Sequence, residues 1–137
     1  MKKTITRYVD KYLYVNYLKR ANECLKSAQR ELQEGALSSS AICAIHSCIS
    51  AVDSICVYYL GKRGAGIRHE DAVELMMSIK EVGHEELSAV KAKVIRVLKI
   101  KNMAEYEERL VKKNEAEKLC ENAAVILRFA ASKLPSV

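Results

Sequence analysis

Apolar residues recur along this chain at the three-and-four spacing of an α-helix, separated by polar faces. Leu18, Ala21, Leu25, Ala28 and Leu32 share one stripe and predict a first helix from about Tyr12 to Glu34, ended by Gly35. Tyr8, Val9, Tyr12, Leu13, Tyr14 and Tyr17 extend its start, and tyrosines this dense suggest packing or a dimer surface before a base-stacking platform. Ser38, Ser39 or Ser40 caps a second helix that runs to Leu60 and stops at Gly61. Its stripe is Ile42, Ile45, Ile49, Val52, Cys56 and Tyr59, with alanines elsewhere, as expected of a central helix. A third helix spans about Glu70 to Val82 through Ala72, Val73, Met76 and Ile79. A fourth follows Gly83, on Leu87, Val90, Val94, Val97 and Leu98. A fifth runs from Glu115 to about Leu134, with Asn114 and Glu117 as its capping box. No strand, linker or repeat is predicted. The fold class is all-α, an up-down bundle of four to five helices in one domain, 1–137, with its core at about 12–134.

Composition agrees with this pattern. Five glycines and one proline in 137 residues leave few turns. Cys24, Cys43, Cys48, Cys56 and Cys120 are odd in number and scattered, which suits reduced thiols in a cytoplasmic protein better than a disulfide framework. No apolar run approaches the roughly 18 residues of a membrane span, and Thr4 to Asp10 is not the apolar core of a signal peptide.

Charge is distributed unevenly within the formal +6. Glu70, Asp71, Glu74, Glu81, Glu85 and Glu86 precede a segment with Lys91, Lys93, Arg96, Lys99 and Lys101 and no acid. Lys62, Arg63, Arg68 and His69 form a second basic group around a glycine-rich loop. Basic stripes of this kind are the minimum footprint for phosphate contact, and also what a solvated helix face looks like.

Three polar positions stand out against the apolar pattern. The stripe of helix four, continued at about 100° per residue, arrives at Lys101. Either that lysine faces inward at a site, or the helix ends near Ile100 and Lys101 reaches water. His46 and Asp53, two turns apart, fall near the inward stripe of helix two. Cys43, His46 and Cys48 are not a metal set, because Cys48 points roughly 160° away from His46 on a helix. Glu81 and His84 are one lone Glu-x-x-His element interrupted by Gly83, and no hydrolase triad is present.

Three segments together resemble a known family: Ile45-His46-Ser47-Cys48-Ile49-Ser50-Ala51-Val52-Asp53-Ser54; Tyr59-Leu60-Gly61-Lys62-Arg63-Gly64; and Arg68-His69-Glu70-Asp71-Ala72-Val73-Glu74-Leu75. With Lys101-Asn102-Met103-Ala104-Glu105-Tyr106-Glu107 and the capped helix after Asn114, they resemble a small prokaryotic HEPN domain over about Tyr12 to Leu134. The resemblance implies a helical bundle that forms a homodimer and takes no metal or cofactor. Many such proteins are metal-independent endoribonucleases of toxin–antitoxin and defence systems, with an antitoxin or nucleotidyltransferase partner; others are inactive RNA- or nucleotide-binding modules. Active members carry an arginine and, four to six residues later, a histidine. Here that slot reads Lys101 and Tyr106. Lysine neutralises phosphate without the guanidinium fork, and a phenol with a pKa near 10 is a poor general base at neutral pH. Arg63 and His69 satisfy the spacing in the wrong place and read as a coincidence of a short pattern.

The expectation is a non-catalytic HEPN-like module that binds RNA, a nucleotide or a partner protein. Its groove lies between helices two and four, lined by His46, Asp53, Lys101, Asn102 and Tyr106, with Asp53 paired to Lys101. The alternatives are a metal-independent endoribonuclease, using Lys101 and Tyr106 or Arg63 and His69, and a helical protein-interaction scaffold.

Overall fold

The computed structural model describes residues 4–65 and 69–136, without the side chains of Glu105 and Tyr106. It is an all-α bundle of five helices: α1 (Tyr14–Gln33), α2 (Leu37–Leu60), α3 (Glu70–Met77), α4 (His84–Tyr106) and α5 (Lys113–Ser132). Two short strands, β1 (Thr6–Tyr8) and β2 (Lys62–Gly64), pair antiparallel, and a 3-10 turn at Lys11–Leu13 leads into α1. The ribbon corrects the expectation of no strands. Thr6-Arg7-Tyr8 is too short to give a periodic signal, and its partner lies more than 50 residues further along the chain.

Helix ends follow their glycines. At the end of α1, Gly35 turns left-handed (φ 79°), its N–H reaches Leu32 O at 3.2 Å, and Ala36 N–H reaches Glu31 O at 2.9 Å. That pair of bonds satisfies two carbonyls the helix would leave open. Gly61 ends α2 with φ 64° and a single bond from its N–H to Val57 O at 2.9 Å, and then directs the chain back as β2. Its carbonyl accepts from Val9 N–H at 2.9 Å, and Ala65 N–H donates to Ile5 O at 3.0 Å, extending the ribbon on both sides.

α2 is the hub. Ala21 and Ala28 of α1 and Ala41, Ala44 and Ala51 of α2 are all fully buried, and small side chains let two helices approach closely. Ser47 Oγ donates to Ala21 O at 2.8 Å and Ser40 Oγ to Ala28 O at 2.7 Å, so the same seven-residue step on both helices pairs hydroxyl with carbonyl. Ile45, Ile55, Met76, Leu87, Leu119 and Ile126 fill the centre, each worth about 1.5–3 kcal/mol of apolar burial. By length and composition α2 is apolar enough to cross a membrane, against the expectation from the sequence, but 78% of that stretch is buried inside the bundle. Its serines, with His46 and Asp53, are the reason: they interrupt the apolar run, and Ser40 and Ser47 tolerate a dry interior by bonding to carbonyls of α1.

Several boundaries differ from expectation. α2 begins at Leu37 with Ala36 at its cap, so Ser38, Ser39 and Ser40 lie inside its first turns and do not cap it. α3 ends at Met77 because Ser78 and Ile79 bond back three residues, to Leu75 and Met76, and the Ser78 hydroxyl competes for the Leu75 carbonyl at 2.6 Å. Ile79 and Val82 are still buried, in the connection rather than on the helix. The box that opens α5 uses Glu115, which accepts from Lys112 N–H at 2.9 Å and holds Arg109 at 2.7 Å, in place of Asn114 and Glu117.

Candidate functional site

A cavity of about 100 Å³ opens where α2, β2 and the start of α3 meet. Ile49 and Asp53 of α2, Arg63 and Ala65 at β2, and His69 and Ala72 at α3 line it. The closeness depends on Gly64. A Cβ there would stand 2.7 Å from Ala72 N and 2.8 Å from its Cα, so only glycine lets the ribbon lie against α3.

Asp53 is the unusual member. Its residue is 6% exposed, and Oδ1 is buried with no hydrogen-bond partner among the described residues. A carboxylate so placed is costly. Burial pushes its pKa up to about 7, against the opposite pull of Arg63 and Arg20. The cations shown acting on Asp53 are Arg63, from β2, and Arg20, from α1, neither of which the sequence assigned to it. The covering ribbon approaches this end of α2, whereas α4 does not line the cavity.

The ribbon adds a feature that no helical reading contains. Arg7 lies directly opposite Arg63 in the β1–β2 pairing, so both side chains emerge on one face. Directly opposed residues have Cβ atoms only about 4.5–5.5 Å apart, and like charges there destabilise the pairing. On the other face Lys62 Nζ sits 5.1 Å from the centre of the Tyr8 ring. Tyr8 is 82% exposed and Tyr12 78% exposed. The remaining tyrosines divide as packing predicts. Tyr14 and Tyr58 meet edge-on at 4.9 Å, Tyr58 and Tyr59 likewise, and Tyr59 OH donates to the Lys133 carbonyl.

The other expected residues are dispersed. His46 is exposed, although it shares a face with Asp53, because β2 and α3 cover only the later half of α2. Lys101 is half-buried and Asn102 exposed on α4. The helix continues past Ile100 to Tyr106, which overturns the early-ending reading. The buried stripe moves from Val97 to Met103, about 120° round the helix, so Lys101 lies at its margin. Arg68 and the Tyr106 side chain lie outside the described residues. Lys62 is half-buried, and Arg63 and His69 share the cavity. Their spacing, read from sequence as coincidence, brings them together in space.

What the arrangement can do follows from these groups. Burial, and then the nearby Asp53, pushes the Cys48 thiol up to about 12, and Cys56 is raised for the same reasons, so neither supplies a thiolate at neutral pH. Among the described residues no group of three or more His, Cys, Asp or Glu side chains could hold a metal ion. What remains is an anion-attracting arginine pair on one face of the ribbon, the exposed Tyr8 ring on the other, a histidine, and a deep acceptor. No family model matches the chain, and no curated protein matches it.

Sequence reasoning missed Arg7 and Arg20. The signal for Arg7 was present in the β-branched and aromatic run Thr4-Ile5-Thr6-Arg7-Tyr8-Val9. Arg20 had none, since it is an ordinary exposed position of α1.

Proposed function

We propose that this chain is a HEPN-like module that binds single-stranded RNA on the β1–β2 ribbon and does not depend on cleaving it. The observation that carries this reading is the cross-strand pair Arg7 and Arg63 beside the Asp53 cavity. Two arginines held side by side repel each other, and a phosphate between them turns that repulsion into charge-assisted hydrogen bonding. Tyr8, exposed on the opposite face of the ribbon with Lys62 beside its ring, and the exposed Tyr12 offer rings on which bases of a strand passing over the ribbon edge can stack. Fluorescence anisotropy with a labelled single-stranded RNA tests it across a salt series. Affinity should fall steeply with salt, and Arg7→Ala and Arg63→Ala should each reduce the slope of log K against log salt by about 1. Binding that ignores both substitutions would refute the ribbon as the contact surface.

The placement of Arg63 and His69 in one cavity favours a second reading, a metal-independent endoribonuclease. In that chemistry Arg63 neutralises the phosphate while His69 takes the 2′-hydroxyl proton. The 2′-oxygen then attacks phosphorus, the bond to the 5′-oxygen breaks, and that oxygen takes a proton from water, giving a 2′,3′-cyclic phosphate and a 5′-hydroxyl; His69 returns its proton to the hydroxide left behind. Incubation of labelled RNA in EDTA separates the readings. Cleavage abolished by His69→Ala supports the enzyme, and intact RNA supports the binding module.

A further inference from the structure

We infer that Asp53 reads the ribose 2′-hydroxyl of the bound strand, which makes the site selective for RNA over DNA; the inference rests on the RNA-binding reading above.

The order of charges by depth carries it. Asp53 is 6% exposed, whereas Arg63 and His69 are half-buried above it. An anion cannot seat against a carboxylate, so phosphate stays outside, on Arg63 and Arg7. A cation is disfavoured by the adjacent arginine. The group that suits the orphaned Oδ1 is a neutral hydrogen-bond donor.

Size narrows the choice. The cavity, about 100 Å³, is smaller than the roughly 150 Å³ that holds a benzene ring, so a base does not fit inside it. A hydroxyl does. In RNA one hydroxyl stands next to every internal phosphate, and it is the group that DNA lacks. With the phosphate on Arg63, the neighbouring 2′-hydroxyl is the donor within reach of Asp53. Ile49 and Ala72 supply the apolar wall that keeps this acceptor from bulk water. Above about pH 7, where Asp53 is ionised, a hydrogen bond to its carboxylate is among the stronger ones.

The test compares a single-stranded RNA with DNA of the same sequence and with its 2′-O-methyl form, which keeps the oxygen but removes the donor. Wild-type protein should bind RNA roughly ten-fold or more tightly than either analogue. Asp53→Leu, close in shape and without the acceptor, should bind all three alike, at the wild-type affinity for DNA. Asp53→Asn, which keeps one acceptor oxygen, should retain a reduced preference; circular dichroism confirms that each variant is folded. Equal, salt-sensitive binding of RNA and DNA by wild type would overturn ribose reading while leaving the phosphate surface intact. An RNA preference that survives Asp53→Leu would remove Asp53 from the role. Binding of none of the three strands would overturn the RNA-binding reading itself, and ribose reading with it. Because the wild-type comparison needs no variant, a substitution that fails to fold does not rescue the inference.

Discussion

Asp53→Asn removes a buried charge while keeping the shape of the side chain, and its effect on stability must depend on pH. The carboxyl is moved from 3.8 to about 7 on folding, chiefly by burial. At about 1.36 kcal/mol per unit, the full penalty on the native state is about 4 kcal/mol. Between those two values the folded protein keeps a proton that the unfolded chain has already lost. Stability contributed by this group therefore falls as pH rises from about 4, and the loss is complete above about 7. Linkage gives a penalty of about 1–2 kcal/mol at pH 5 and about 4 kcal/mol at pH 8. Asparagine titrates at neither. Urea unfolding followed by circular dichroism, with both proteins measured at each pH, isolates the term, because every other carboxylate cancels in the difference. The variant should gain about 2–3 kcal/mol relative to wild type between pH 5 and pH 8. A difference that stays constant within about 0.5 kcal/mol would show that Asp53 has a partner that solvates it in the native state, and the cavity argument would fail. If the gain is found, the chain carries a costly group at a place where a neutral residue would be more stable. That is the pattern of a site held for a ligand rather than for the fold.

Other expectations follow from packing. Ile45→Ala, at a fully buried position, should cost about 2–5 kcal/mol in the same assay, while Ile49→Ala, half-buried at the cavity wall, should cost clearly less. Equal losses would mean that the cavity is closed. Gly64→Ala forces the ribbon away from Ala72, so it should destabilise by about 1–3 kcal/mol and weaken RNA binding together. A stable variant with unchanged affinity would show that the contact between ribbon and α3 does not shape the site.

The helices were legible because their stripes and glycine stops are local. Gly35 and Gly61 end α1 and α2 where the pattern puts them, and Leu87, Val90, Val94 and Val97 are buried as their spacing predicts. What depended on tertiary contact was not legible. Periodicity puts His46 and Asp53 on one face of α2, but only the ribbon decides that one is exposed and the other buried. The pairing of Arg7 with Arg63 joins segments that a helical period cannot connect. The Arg63 and His69 spacing was visible, yet without the ribbon it carried no more weight than any short pattern in a basic loop. Lys101 was singled out by extrapolating a straight stripe, and the real stripe drifts away from it toward Met103.

In the proposed function the ribbon and its cavity, and not the basic face of α4, meet the RNA. Amide chemical shifts of the labelled protein, followed during titration with a single-stranded RNA, test this residue by residue. Changes should concentrate at 5–9, at 61–65 and at His69 to Ala72, with Lys91, Arg96 and Lys99 unmoved. Shifts confined to 91–101, or none anywhere, would contradict it.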